Sequence, residues 1–417
     1  LLMIKKSCKR SLNCRLCNSQ ELISVMSLKS TPPANAFVKK SELNKTQDVF
    51  PLELFFCKNC AHVQLLDIVD PSLLFSNYVY VSGTSKVFVK HFEDYANYII
   101  KEFKPSKEEL IVDIGSNDGT LLRFFKNEGY KVLGVDPAKE ISQEANKNGI
   151  STINDFFTDR VANQIKINYS QASVITANNV FAHIDDLIGI LNSVKKLLSP
   201  EGIFVFEVSY LLDVYEKNLF DTIYHEHLSY HSVKPLVKFF ENNGMELINT
   251  MRVETHGGSL RGIAKLKEGK RQLEKSVFDL VKAEESILLD KSETFKKFYS
   301  NIQTINKNLN NLLRDIKSEE KIVAGFGAPA KATTLMYEFN LGPQYIDFII
   351  DDSPLKQGLF SPGLHIPVYS SSVIKEKKID YLLILAWNFA DSIIKNNNDF
   401  RASGGKFIIP LPHVTVI

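Results

Sequence analysis

Short apolar runs alternate with amphipathic stretches from Glu109 onward. "ELIVDIG", Glu109 to Gly115, is an apolar run that ends in a turn, and "TLLRFFKNEG" after it sets Leu121, Leu122 and Phe125 on one helical face. "KVLGVDP", Lys131 to Pro137, repeats the run, and "ASVITA" (Ala172 to Ala177), "GIFVFEV" (Gly202 to Val208) and "SLRGIAKL" (Ser259 to Leu266) continue it, with helical stretches between. This pattern predicts an α/β fold: an open, doubly wound parallel sheet with helices on both faces and ligands beyond the carboxyl ends of the strands. Farther on, Phe278, Val281, Phe295, Phe298, Ile302, Ile305, Leu309, Leu312 and Ile316 recur near helical spacing in a Lys-, Glu- and Asn-rich stretch. One or two long amphipathic helices, packed within the chain, are expected there. "KIVAGFGAPAKATTLMYEF" then repeats the strand, glycine loop and helix, and "YIDFIIDDSP" and "IDYLLILAWNFAD" supply two more parallel strands of a C-terminal Rossmann-like unit.

The loop Gly115-Ser-Asn-Asp-Gly119 resembles a dinucleotide fingerprint in its glycines alone. Asn117 and Asp118 stand where a pyrophosphate needs bare amides, and a carboxylate repels phosphate. S-adenosylmethionine, with an ammonium and a sulfonium and no phosphate, suits such a loop, and Asp136 at the end of the second strand suits ribose hydroxyls. Asp113, Gly115, Asn117, Asp118, Asp136, Pro137, Asn178 and Asn179 are therefore the expected donor contacts. The second glycine loop has no acid and carries Lys331 within reach of an anion, and Arg261 is a second candidate phosphate contact.

All five cysteines fall in the first sixty residues, four of them as Cys14-x-x-Cys17 and Cys57-x-x-Cys60. Two such turns complete a closed tetrahedral site, so a structural zinc is expected rather than two disulfides or a redox pair. Cys8 is expected to be a spare thiol. The zinc staples a small domain ending near residue 70, which a short core alone would hold poorly.

"YHEHLSYHS", Tyr224 to Ser232, places three of the chain's nine histidines in nine residues. Extended or helical, it presents a histidine beside a tyrosine with a carboxylate at hand, a base with its helpers. A metal site there fits poorly, because adjacent residues rarely reach one ion and the zincin pattern spaces its histidines four apart. A base beside a methyl donor means that the acceptor atom must lose a proton. Carbon needs this most, because its C–H acidifies only beside a carbonyl whose enolate oxygen is stabilised by donors.

Composition narrows the partners. The 417 residues carry a net charge of +2 from 50 basic and 48 acidic side chains, which disfavours a polyanion such as nucleic acid. No apolar run approaches the roughly 20 residues of a membrane span, and the basic N-terminus lacks an apolar segment after it, so a cytoplasmic protein is expected.

The paired C-x-x-C, "NYVYVSGTS" (Asn77 to Ser85), "VDIGSNDGTLL", "NNVFAHIDD", "EVSYLLD", "DTIYHEHLSYHS", "HGGSLR" from His256 and "GFGAPAKATTL" from Gly325 together resemble the S-adenosylmethionine-dependent nucleotide-sugar 3-C-methyltransferases acting on dTDP-linked 4-keto-deoxy sugars. The likeness spans nearly the whole chain. It implies a zinc-binding domain over 1–75, a methyltransferase core over 76–268, a helical linker over 269–318 and a Rossmann-like domain over 319–417, acting as a monomer. By the same resemblance, His227 removes the proton at C-3, Tyr224 and Glu226 lie near the sugar, His183 lies near the reacting centre, and Tyr78 or Tyr80 covers the donor. His225, His256, Arg261 and Lys331 are expected on the substrate side. An O- or N-methyltransferase of another small metabolite, or a zinc-containing RNA-binding methyltransferase, are the rival readings.

Overall fold

The computed structural model describes residues 7–75, 83 and 86–417, apart from the side chains of Phe75, Lys86 and His256. Tyr78 and Tyr80 lie outside the described residues. Seven strands form the central sheet: β1 (Leu110–Ile114), β2 (Lys131–Val135), β3 (Thr152–Ile153), β4 (Ala172–Asn178), β5 (Leu198–Ser209), β6 (Met245–Val253) and β7 (Ser259–Leu266). Their order across the sheet is β6-β7-β5-β4-β1-β2-β3. β1 reads as a continuous apolar run because every one of its residues is buried, the mark of a strand covered on both faces.

The sheet departs from the expected all-parallel arrangement at one edge. β7 runs antiparallel to both β5 and β6. β6, "MELINTMRV", was not anticipated from its apolar pattern, and the link from Val253 to Ser259 is too short for the crossover that parallel strands require.

The N-terminal unit is an antiparallel sheet of Leu22–Thr31, Phe50–Cys57 and Val63–Leu65, and its fourth strand is Ser229–Tyr230. A piece of the histidine-rich segment thus completes a sheet that begins more than 160 residues earlier, with Ser229 opposite Gln64 and Tyr230 opposite Val63. Arg15, buried, ties the seam by donating to the carbonyls of Leu65 at 2.5 Å and Leu228 at 3.4 Å.

The linker is two helices, Lys275–Ser286 and Ser292–Ser318. The register differs from the expected one in two places: Val277 and Leu313 are buried, whereas Phe278 is 53% exposed and Leu312 only half-buried. In each case the neighbouring residue turns toward the core, because a helix advances 100° per residue. Phe295 of the longer helix meets Phe56 of the N-terminal sheet at 5.9 Å between rings.

The C-terminal unit is a six-stranded sheet of Val323–Phe326, Phe348–Ile350, Val368–Tyr369, Tyr381–Ile384, Lys406–Ile409 and Thr415–Val416, of which only the last is antiparallel. It contacts the N-terminal unit directly: Thr333 Oγ1 donates to Ala34 O at 3.0 Å, and Val38 and Phe360 form an antiparallel bridge. Among the described residues no helix is long and apolar enough to cross a membrane.

Candidate active site

The donor side is built at the carboxyl ends of β1, β2 and β4. The loop after β1 turns back on itself through residues of positive φ, Gly115 at 69°, Asn117 at 51° and Gly119 at 75°. At Gly115 a β-carbon would also stand 2.4 Å from the Val180 side chain, so any other residue would be strained there. Asp136 holds this loop in place. Its carboxylate accepts the N–H of Asn117 at 2.9 Å and that of Ala138 at 2.8 Å. Beneath the loop Asp113 accepts a hydrogen bond from Thr176 Oγ1 at 2.6 Å, and burial pushes its carboxyl up to about 7.

These residues wall a cavity of about 360 Å³ with Asp113, Gly115, Asn117, Asp136, Pro137, Asn178 and Asn179 among its lining. Phe88 and Phe92, from the helix Lys86–Phe103, and Phe156 supply an apolar side that sequence reading missed. Asn179 is held at φ 54° with its N–H on the carbonyl of Glu207 at 2.7 Å. Asp118 is a correction: it is not on the cavity wall. Its carboxylate accepts from Thr120 N and Oγ1, at 3.2 and 2.7 Å, and from Gly83 N at 3.0 Å, so it is spent on the first residue of the helix that follows and on Gly83.

His183 lines the same cavity, and its ring lies 4.9 Å from that of His227, which in turn lies 4.2 Å from Tyr224. Through His183, the His227 and Tyr224 rings are joined in one cluster to the wall of the donor cavity. Nδ1–H of His227 donates to the carbonyl of Thr222 at 2.7 Å. That bond fixes the neutral tautomer and leaves the Nε2 lone pair as the ring's acceptor, without a hydrogen-bond partner among the described residues. Burial pushes His227 down to about 4. Glu226, beside it in sequence, accepts from Asn35 Nδ2 of the N-terminal unit at 3.2 Å, and burial pushes its carboxyl up to about 7.

The other expected substrate contacts are placed differently. His225 points away, its Nε2–H on the carbonyl of Phe50 at 3.1 Å, where it seals the N-terminal sheet against the core. Arg261 is buried in an ion pair with Glu207 at 2.9 Å, which also takes His91 at 2.8 Å and Thr255 at 3.0 Å; a guanidinium so occupied does not meet a phosphate. Lys331 is turned from its own loop toward Asp221, 3.9 Å away, with its ammonium 3.5 Å from the centre of the Trp387 ring. The amide of Ala328 in that loop already binds Asp351 at 2.6 Å. The side chain of His256 is outside the described residues. Asn35, Thr222 and Asp221 were missed; the only signal was that Asp221 and Thr222 interrupt the apolar run "NLFDTIY".

The four cysteines form one cluster, their sulfurs all within 4.8 Å of one another. Sγ of Cys14 lies 3.6 Å from that of Cys60, and Sγ of Cys17 lies 3.5 Å from that of Cys57. Thiolates about 2.3 Å from a tetrahedral zinc stand about 3.8 Å apart, so the set fits that ion. Both turns close alike, with Asn18 N on Cys14 O at 2.9 Å and Ala61 N on Cys57 O at 2.8 Å.

A sheet of this strand order, a glycine loop pinned by an acid at the end of β2, and a cavity without a phosphate cradle define a class I methyltransferase that uses S-adenosylmethionine. Residues 14–75 match the family model described as "Putative zinc binding domain", residues 89–250 that of a methyltransferase domain, and residues 254–412 that of a C-methyltransferase C-terminal domain. The C-methyltransferase NovU of Streptomyces niveus is 33% identical over 404 residues, 97% of this chain and 96% of that protein. The chain belongs to this C-methyltransferase family. A ubiquinone biosynthesis O-methyltransferase of Actinobacillus pleuropneumoniae serotype 5b is 31% identical over 106 residues, 23% of this chain and 44% of its own. The crystal structure of an S-adenosylmethionine-dependent methyltransferase from Clostridium acetobutylicum covers 43% of this chain and 92% of its own at 14% identity and a TM-score of 0.35.

Proposed function

We propose that this C-methyltransferase acts on C-3 of a nucleotide-linked 4-keto-deoxy sugar, with His227 as the base. The observation that carries the reading is the His227 ring, locked at Nδ1 by Thr222 O and open at Nε2, beside Tyr224 and beside His183, which lines the donor cavity. A ketone at C-4 acidifies the C-3 hydrogen, which Nε2 takes. Tyr224 and His183 are the donors at hand for the enolate oxygen, and a preorganised donor there is worth more than water because it needs no reorientation as charge develops. S-adenosylmethionine supplies the electrophilic methyl group. The chain's contribution is to hold base, donors and cavity at one point. dTDP is the favoured nucleotide, by the resemblance of the motifs alone.

The test is incubation with a dTDP-4-keto-6-deoxy sugar in deuterated water. Deuterium entering the sugar without methyl donor, and a carbon-bound methyl with it, are expected. Absence of both, with donor bound, would sink the reading.

Two further outcomes follow. Because burial lowers His227 to about 4, the imidazole stays neutral and competent above that pH, and activity is lost only as pH falls toward it. The acid limb of kcat/KM should therefore lie below the value of about 6.5 expected of an exposed histidine. Asp136→Ala removes the carboxylate that pins the donor loop and should weaken S-adenosylmethionine binding by about tenfold to a hundredfold, the range for lost hydrogen bonds to a charged group. Calorimetric titration of donor into the variant checks this.

A further inference from the structure

The turn that carries the carbonyl partner of His227 is held from the C-terminal unit. The rings of Phe220 and Phe339 lie 4.8 Å apart. Asp221, fully buried, accepts from Trp387 Nε1 at 2.5 Å and faces the Lys331 ammonium at 3.9 Å. The carbonyl of Ile223 accepts from Thr334 Oγ1 at 2.8 Å. So the residues on either side of Thr222 are bound to the C-terminal unit, and Thr222 itself holds the base. Its hydroxyl is tied back to Leu219 O at 2.7 Å, which leaves its carbonyl aimed at His227 Nδ1. Burial pushes the Asp221 carboxyl up, and Lys331 and Trp387 oppose that rise, so the acid depends on both for its charge.

We propose that Thr334 and Trp387, with Lys331 behind them, are positioning residues for catalysis: they clamp the Phe220–Ile223 turn so that Thr222 O fixes the tautomer and orientation of His227. The inference rests on the reading of His227 as the base. It assigns the C-terminal unit a part in proton abstraction. The side chains that clamp the turn come from two separate segments of that unit, the helix Ala332–Glu338 with Lys331 just before it, and the short 3-10 helix Trp387–Phe389. A movement of that whole unit would therefore move the base.

The test uses the full chain. Thr334→Val is close to isosteric but lacks the hydroxyl, Thr334→Ser keeps it, and Trp387→Phe keeps a ring under Lys331 but lacks the N–H. Thr334→Val and Trp387→Phe should each lower kcat and the rate of sugar deuterium exchange by about tenfold, the cost of a base displaced by a fraction of an ångström. KM and donor affinity should stay near wild type, and Thr334→Ser should retain activity. A second readout needs no substrate: nitrogen-15 NMR of histidine-labelled protein should show His227 as the Nδ1–H tautomer in the wild type and a mixture in the two impaired variants. Wild-type kcat and an unchanged tautomer in both variants would overturn the clamp. Retained exchange in His227→Gln would instead overturn the base, and the tautomer signal would still decide the clamp.

Discussion

His227→Gln is expected to lower methyl transfer by on the order of a thousandfold, within the range that a positioned general base contributes. Glutamine can keep a hydrogen bond to Thr222 O through its amide, but it offers no basic nitrogen at the position of Nε2. The loss should fall on deuterium exchange at the sugar and on methyl transfer alike, because in the proposed mechanism proton removal precedes carbon–carbon bond formation. Donor affinity should be unchanged, since the loop after β1 and Asp136 are untouched. Exchange measured by mass spectrometry, beside calorimetric titration of S-adenosylmethionine, separates the two. Activity within a few fold of wild type would exclude His227 as the base.

Cys57→Ser should cost the protein its metal and more than about 4 kcal/mol of stability in the N-terminal unit, as expected where a metal site is lost. Cys57 is fully buried, so the substitution leaves a hydroxyl among three thiols with no room to escape. The damage should reach the active site. Phe50 O holds His225, Val63 and Gln64 pair with Tyr230 and Ser229, and Asn35 reaches Glu226, so the segment bearing the base loses its support. Loss of zinc by elemental analysis, a lowered first unfolding transition and reduced turnover are expected together. Cys8→Ser is the control: Cys8 pairs with Val69 on a separate two-stranded sheet and is outside the cysteine cluster, so zinc content should not change. An unchanged metal content in Cys57→Ser would refute the four-thiolate site.

Local spacing and apolar period made much of this protein legible. The C-x-x-C pairs, the loop after β1, Asp136 and the density of histidines are short-range signals, because each depends on residues adjacent in the chain or one strand apart. Asp118 and Arg261 are placed otherwise than expected for one reason. Residue type says that a charge is present, and only the folded structure says whether hydrogen bonds or an ion pair have already consumed it. His225 shows the same limit, since it differs from His227 by two positions and faces a different unit.

By itself, then, the sequence determined the parallel part of the central sheet, the donor loop, the four-cysteine cluster and the histidine-rich segment, because periodicity and ligand spacing are properties of the chain. Which histidine is open at Nε2, which acid turns into the cavity and which lysine is taken by Asp221 were decided only by the tertiary structure. The last of these depends on contacts between residues more than a hundred positions apart, as do those of Asp221 with Trp387 and Ile223 with Thr334, and no local pattern encodes which partner a buried polar group will find.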